Sequence, residues 1–394
     1  MGTLSPSFPR LGYIDNLRIA LTFLVVLHHA GQAYGKGGFW YYEASERTPY
    51  LGAFFTVNAS FFMGLYFFIS ACFTPASFDR KGPGSFLRER LLRLGVPLAF
   101  FFFGVIPILM YTYYMNFRPY GSIGFLEYYT QIYFGEGPKP PQWTGPTWPD
   151  MQFAHLWFVE HLLIYAVLYA TWRQLPEATR RAPLGWLPET IRHGHLVAYA
   201  LVLALATFLV RIWYPIDTWI GILGYIQSEP AHLPQYVSLF LLGLAAARKG
   251  WLKSLPASLG RTWLGLGLLL VGLSWLAMIP PLWWISPYFA GGGYSVEAAA
   301  RALWEAFLCV GMCVGLLVLF RDCFFAQTPV HRSLAADTYG VYLFHVPVLV
   351  ALSYMLGASL SLVASFLIVS LLGLVITTSL IEPVRRLPVL RQIL

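Results

Sequence analysis

The chain has 394 residues, of which 57% are hydrophobic and 11% are charged, against roughly 25% charged in soluble domains. So few polar side chains exclude a water-soluble globule. Aromatic residues make up 17% of the chain, which is typical of transmembrane helices that end in Trp and Tyr at the lipid–water interface. The net charge of +8 would suit a nucleic-acid partner, but the placement of the charges along the chain argues against one.

The predicted elements are almost all membrane spans. Residues 1–15 lack the apolar segment and cleavage site of a signal peptide, so we predict a short cytoplasmic lead there. A transmembrane helix needs about 20 mostly apolar residues. This criterion predicts an all-α, polytopic bundle of about ten spans in one domain, 1–394. The spans are 17–34, 51–74, 92–114, 154–172, 195–213, 233–247, 262–281, 301–320, 338–356 and 359–381.

The Lys and Arg residues of the loops predict the orientation, because basic loops stay on the cytoplasmic side. With the N-terminus inside, 19 of the 26 Lys and Arg residues fall in inner segments and 5 in outer loops. We therefore predict a multi-pass protein of the bacterial inner membrane with both termini in the cytoplasm. The basic excess serves topology, so we expect the lipid bilayer as a partner and no nucleic acid.

The long outer loop at 115–153 is rich in Pro, Gly, Trp and Tyr. It is too long for a simple connector, and we predict an extracytoplasmic lid over an outward-facing cavity. The four cysteines show neither a disulfide framework nor metal-ligand spacing. We expect no metal and no permanently bound cofactor.

Ionisable residues inside spans are costly and mark functional sites by default. On the first span, Arg18 and His29 are eleven residues apart, which places them on one helix face, roughly 16 Å apart along the axis. Asp15 precedes Arg18 by three residues and can hold its guanidinium. A neutral imidazole at His29 can act as a general base. The alternative is structural: Arg18 would reach the inner interface, and His28 and His29 would bond to neighbouring helices.

Further candidates lie on three later spans. His155 and Trp157 are expected at the outer edge of the fourth span, with Trp157 at the lipid interface, and Glu160 lies deeper without an evident partner. Arg301 and Glu305 are spaced for an i,i+4 ion pair. Tyr342 and His345 share a face near Pro347, which interrupts the helical hydrogen bonds. Each of these could be structural. The substrate-binding candidates are Asp15, Arg90, Arg93, His155, Trp157, Glu305, Tyr342 and His345.

Arg90 and Arg93 lie one turn apart at the predicted cytoplasmic start of the third span. Both could serve only as positive charges that retain the loop inside. Because guanidinium groups bind phosphate through several N–H bonds, a clamp for the phosphates of a cytoplasmic donor is the alternative.

Seven short motifs in order resemble the acyltransferase family 3 of polytopic membrane proteins, and most closely the branch that resembles the glucan biosynthesis protein C succinyltransferase. The resemblance runs over essentially the whole chain. The motifs are DxLR with LHH at 15–29, FFIS at 67–70, RxxRxxxP at 90–97, HLWF at 155–158, QYVSLFLLG at 235–243, WEAFLCVGM at 304–312 and TYGVYLFHVP at 338–347. The chain departs from the family where many members read SG, since it has Ser70-Ala71, and it carries no appended hydrolase-like domain.

The resemblance implies a membrane-bound O-acyltransferase. Such an enzyme moves an acetyl, succinyl or similar group from cytoplasmic acyl-CoA to a hydroxyl of an extracytoplasmic glycan, lipid or small acceptor. Arg18 and His29 match the family's essential arginine and histidine, with His29 the expected catalytic base. Arg90 and Arg93 match its cytoplasmic RxxR. Tyr342, His345 or Arg18 would stabilise the negative charge that develops in the reaction.

Two other classes fit the buried polar residues. A transporter or flippase for a glycan or lipid precursor would also need Arg, His and Glu inside the bundle, although no inverted repeat or nucleotide-binding loop is evident. A haem protein with two histidine ligands could use His28 or His29 with His155 or His345. The sequence does not define the acyl group or the acceptor, and it leaves open whether the chain forms homo-oligomers.

Overall fold

The computed structural model describes residues 11–36, 40–118, 120–145, 147–177, 179–180, 185–279, 290–356, 360–388 and 390–393. Residues 1–10 of the predicted lead lie outside these ranges, as do residues 119 and 146 of the predicted outer loop. The end of the seventh predicted span, 280–281, and the first residue of the tenth, 359, also lie outside them. The α-helices are α1 (Gly12–Gln32), α2 (Leu51–Ala59), α3 (Phe62–Arg90), α4 (Val96–Phe100), α5 (Ile106–Phe117), α6 (Phe125–Glu127), α7 (Trp157–Trp172), α8 (His193–Trp213), α9 (Leu233–Lys249), α10 (Trp251–Ser254), α11 (Ala257–Leu276), α12 (Val296–Cys323), α13 (Pro329–Leu356) and α14 (Leu362–Arg386).

Short turns and one hairpin complete the described part of the chain. Wider π-helical turns occupy Leu91–Gly95, Phe101–Val105 and Tyr128–Tyr133, and 3-10 turns occupy Ala154–Leu156, Pro230–His232 and Leu390–Gln392. Strands β1 (Ile220–Ile222) and β2 (Ile226–Ser228) form an antiparallel hairpin. The all-α class predicted from the sequence is confirmed.

Seven helical segments of the described chain are long and apolar enough to cross a membrane. They are Leu51–Phe117, Ala154–Trp172, His193–Trp213, Ala257–Leu276, Val296–Cys323, Pro329–Leu356 and Leu362–Arg386. The first of these covers the second and third predicted spans together. The first and sixth predicted spans coincide with α1 and with α9, which has 17 residues, and neither helix is among the seven. The count of about ten spans and the orientation stay predictions.

Helix α1 lies in the interior, in contact with α12, α13 and α14. It runs parallel to α13, because Arg18 near the start of α1 contacts Thr338, whereas His29 near its end contacts His345. Below, "inner" and "outer" denote the two sides as the basic residues predict them. Since α1 and α13 point the same way, residues from both can line one path between the two sides.

Proline residues inside the spans free backbone carbonyls that side chains then bind. Proline has no N–H, so the carbonyl four residues earlier loses its helical donor, and in lipid that oxygen must find another. Here ring side chains supply the donor. Before Pro97, the Tyr339 hydroxyl donates to Arg93 O at 2.5 Å, and before Pro107, the Tyr129 hydroxyl donates to Phe103 O at 3.0 Å. Before Pro347, His155 Nε2–H donates to Leu343 O at 3.0 Å. Two of these bonds fasten α13 to other spans.

Glycine residues allow close helix contacts where no side chain would fit. A Cβ at Gly311 would lie 2.8 Å from Trp263 O and 3.0 Å from the Gly267 Cα, so α11 and α12 touch through their backbones. A Cβ at Gly243 would lie 2.3 Å from Phe68 O and 2.7 Å from the Ala71 Cβ. At Ser70-Ala71, where many family members have SG, the close approach of α3 and α9 therefore depends on Gly243 of α9.

Candidate functional site

The central feature of the site is a hydrogen-bond chain that joins α1 and α13. His29 Nδ1 lies 2.7 Å from His345 Nε2, and His345 Nδ1 lies 2.7 Å from the backbone oxygen of Tyr342. A carbonyl oxygen only accepts, so His345 Nδ1 carries the proton. With both rings neutral, as burial favours, His345 Nε2 is then an acceptor and His29 Nδ1 is the donor. The tautomer of His29 is thereby fixed, and its Nε2 keeps the lone pair.

No described side chain is hydrogen-bonded to His29 Nε2, and the His29 side chain is only partly buried. In contrast, His345 is fully buried, with 0% of its surface exposed. The basic nitrogen of the pair is thus the one on α1, and it can accept a proton from a bound molecule. General-base catalysis requires such a nitrogen within hydrogen-bonding reach of the substrate proton.

Two more rings flank the histidine pair. Trp40, from the segment after α1, stacks on His29 with 5.5 Å between ring centroids and 12° between ring planes. His155 meets the edge of His345 at 5.5 Å. The Trp40 Nε1–H and the His155 Nδ1 are both buried, and neither has a hydrogen-bond partner within the part of the chain that is described. Buried polar atoms of this kind call for a ligand or water as partner.

The geometry explains how His155 is held. Pro347 frees the Leu343 carbonyl, which accepts the His155 Nε2–H at 3.0 Å, so the lone pair of the neutral ring lies at Nδ1. The Tyr342 hydroxyl donates to the His155 backbone oxygen in a short hydrogen bond. The imidazoles of His29, His155 and His345 do not converge on one point, and no group of three His, Cys, Asp or Glu among the described residues could hold a metal ion.

Arg18 lies at the inner part of the same α1–α13 contact. Its Nη2 donates to Thr338 Oγ1 at 3.0 Å, and its Nη1 is 3.7 Å from Asp15 Oδ1. The Arg18 side chain is 35% exposed, whereas the Asp15 side chain is 14% exposed. Arg18 and His29 therefore both face α13. Their predicted roles in substrate binding and catalysis are not decided by this arrangement.

Arg90 and Arg93 diverge at the inner end of the third predicted span. The Arg90 guanidinium lies over the Phe86 ring at 5.1 Å. Arg93 instead lines an inner cleft of about 370 Å³ together with Arg88 and Arg391. The predicted two-arginine clamp thus has only Arg93 in the cleft, because the π-helical turn Leu91–Gly95 changes which side chains share a face.

Trp157 and Glu160 both point into the bundle from α7. Trp157, which the sequence placed at the lipid interface, stacks on Tyr236 at 5.1 Å and 28°. Glu160 is 4% exposed, and both of its carboxylate oxygens lack a hydrogen-bond partner among the described residues. The predicted substrate-binding role of Trp157 stays a prediction.

Glu305 is held in a buried ion pair that the sequence did not show. Both of its oxygens accept from Arg211 at 2.8 Å, while the i,i+4 neighbour Arg301 is 3.5 Å away. Arg211 is 1% exposed and Glu305 5%. Since both oxygens are occupied, this geometry supports a structural role that joins α8 to α12. Binding of substrate by Glu305 stays a prediction.

The outer loop continues into the site and has a buried carboxyl group of its own. Asp150 accepts a hydrogen bond from the Tyr128 hydroxyl at 2.7 Å. Burial raises the pKa of Asp150 to about 7, and the Tyr128 bond and the Arg118 charge only partly offset this rise. The same loop segment leads directly into the turn Ala154–Leu156, which carries His155.

Sequence reasoning missed Trp40 and the pairing of His29 with His345. Trp40 follows the first predicted span and looked like one aromatic residue of many. The two histidines are 316 positions apart, so only the fold brings them together. His28, whose role the sequence left open, contacts Phe55 and Phe62 and lies 3.2 Å from Gln32 Nε2. Its ring meets the edge of the His29 ring at 5.6 Å, but it has no hydrogen bond to either member of the histidine pair.

Comparison with known proteins agrees with the motifs. Residues 11–382 match the profile of the acyltransferase domain that defines acyltransferase family 3. No curated protein and no solved structure gives a significant match. The match covers the first, fourth and ninth predicted spans, and with them Arg18, His29, His155 and His345. The chain therefore belongs to acyltransferase family 3, the polytopic membrane acyltransferases.

Proposed function

We propose that the protein is an O-acyltransferase that takes an acyl group from acyl-CoA on the inner side and transfers it to a hydroxyl of a glycan, lipid or small acceptor on the outer side. Family membership supports an acyltransferase in general. The observation that carries the finer proposal is the fixed tautomer of His29, which leaves Nε2 as a base beside α13.

In the proposed reaction, His29 Nε2 takes the proton of the acceptor hydroxyl as its oxygen attacks the thioester carbonyl. The new C–O bond forms while the carbonyl electron pair moves to oxygen. When the tetrahedral intermediate collapses, the C–S bond breaks, and the leaving sulfur of CoA takes the proton that His29 held. CoA therefore leaves as the free thiol. His345 accepts the His29 Nδ1–H throughout and stabilises the transient imidazolium. General-base assistance of this kind contributes roughly 10²–10⁴ in rate.

The three groups expected to stabilise the oxyanion all have other partners. The Tyr342 hydroxyl donates to the His155 carbonyl, and both His345 nitrogens are engaged. Arg18 contacts Thr338 three turns away along α1. The Trp40 ring stacks on His29, and its Nε1–H has no acceptor within the described chain. We assign the oxyanion contact to Trp40, because an indole can only donate.

The proposal is tested by incubating purified protein in lipid nanodiscs with radiolabelled acetyl-CoA or succinyl-CoA and a fraction of outer-side glycans and lipids. Release of free CoA that depends on the acceptor, with label appearing in that fraction, is expected. Mass spectrometry of the same fraction from cells with and without the gene should show the loss of one acyl increment. Acceptor binding without CoA release would instead indicate a transporter or flippase.

A further inference from the structure

The inner cleft described above is built by two separate parts of the chain. One wall is the end of α3 with the first π-helical turn, and the other is the C-terminal turn Leu390–Gln392. The Arg391 N–H donates to Leu387 O at 2.9 Å, which fastens this turn to the end of α14. The polar residues that line the cleft are Ser85, Arg88, Glu89, Arg93, Arg391 and Gln392.

The cleft is strongly basic. Its one acidic residue, Glu89, already pairs with Lys81, so its charge is compensated from outside the cleft. Arg88 and Arg391 form no ion pair with any described residue. Three guanidinium groups, those of Arg88, Arg93 and Arg391, line this space of about 370 Å³, and two of them, Arg88 and Arg391, have no carboxylate partner in the described chain. Such a site favours a ligand with several negative charges.

Arg391 lies beyond the residues that match the family, which end at 382. We propose that the C-terminal turn completes a phosphate site, and that Arg391 selects a donor with several phosphates over one with a single phosphodiester. This inference rests on the proposed function for the identity of the donor. A carrier joined through one phosphodiester would occupy one guanidinium. A coenzyme with a diphosphate and a further phosphate on its ribose can engage all three.

The test measures binding of unacylated CoA, 3′-dephospho-CoA and pantetheine to the full chain in nanodiscs by isothermal titration calorimetry. We expect CoA to bind more tightly than dephospho-CoA, and Arg391→Gln to weaken CoA binding about tenfold. Pantetheine binding should not change. Arg386→Gln is the matched control, because Arg386 lies on the same C-terminal stretch, is exposed and pairs with Glu382 outside the cleft.

Equal CoA affinity in the wild type and in Arg391→Gln would overturn the inference, as would an equal loss in Arg386→Gln. Arg391→Lys gives a second measure: it keeps the charge but not the paired N–H bonds, so we expect partial recovery. Failure of the proposed function has a different signature. In that case the wild type would bind CoA but would transfer no acyl group to any acceptor.

Discussion

At the scale of single residues, the state of His29 depends on groups far along the chain. The Tyr342 carbonyl fixes the proton on His345, and His345 in turn fixes the proton on His29. The sequence predicted that Arg18 and His29 share a face of α1, because helical spacing alone determines this. It could not predict the partner, since nothing local distinguishes His345 from a packing histidine. Tertiary contacts supply that information.

His345 is expected to act by positioning His29. His345→Leu removes the acceptor for the His29 Nδ1–H, so His29 loses its fixed tautomer and kcat should fall by about 10²–10⁴-fold. His345→Gln keeps an acceptor oxygen and should retain more activity than His345→Leu. Steady-state kinetics of both variants, with the pH profile of kcat/KM, measures this. Equal activity of the two variants would contradict the role.

Trp40 should contribute to the rate through its N–H. Trp40→Phe keeps an aromatic ring on His29 but removes the donor, and kcat should fall by about 10²–10³-fold with KM for the donor little changed. Trp251 is the matched control, because it is equally buried at 6% and its Nε1–H already donates to Pro188 O at 3.1 Å.

Trp251→Phe should therefore lower the melting temperature and leave kcat unchanged. Trp40→Phe should lower kcat and leave the melting temperature nearly unchanged. Losing a satisfied buried hydrogen bond costs about 1 kcal/mol, while removing an unpaired donor costs little. A Trp40→Phe variant that turns over at the wild-type rate would exclude Trp40 from the reaction.

At the scale of elements, apolar length predicted where the helices lie, and Pro347 predicted an interruption in the hydrogen bonds of the ninth span. It did not show which groups would bind the freed carbonyls. Tyr339 and His155 do so, and they tie α13 to the spans on either side. The π-helical turn at Leu91–Gly95 was also invisible in the sequence, and it is why Arg93 enters the cleft while Arg90 stacks on Phe86.

The outer loop should lose stability as the pH rises. Asp150 has a folded pKa of about 7, above the ordinary value of 3.8, so the folded protein binds the proton more tightly than the unfolded chain. Its contribution is present at low pH and is lost between about pH 4 and pH 7, by at most about 4 kcal/mol. The melting temperature should therefore fall across this range. In Asp150→Asn, which keeps an acceptor for Tyr128, this part of the pH dependence should disappear.

Differential scanning fluorimetry of both proteins from pH 4.5 to pH 8 makes the comparison. Because other groups titrate in the same range, the difference between the two curves is the quantity to evaluate. Parallel curves would show that Asp150 ionises in the folded loop as it does in water.

At the scale of the whole molecule, the fold places a histidine pair, an arginine and a basic cleft at different depths. His29 and Arg18 share the α1–α13 contact, and the cleft lies at the inner end of α3. Composition was sufficient to predict a helical membrane protein, and the motifs were sufficient to predict the family. The ion pair between Arg211 and Glu305 joins segments distant in sequence, and so does the approach of Arg391 to the cleft. Residue spacing could not predict either contact.

The most direct test of the account compares His29→Ala with His28→Ala in the acyl-transfer assay, each protein first checked for its melting temperature. The two histidines are adjacent on α1, but only His29 contacts His345. We predict that His29→Ala lowers acyl transfer by about 10²–10⁴-fold with the fold intact, while His28→Ala stays within tenfold of the wild type. A folded His29→Ala protein that transfers acyl groups at the wild-type rate would contradict the central claim.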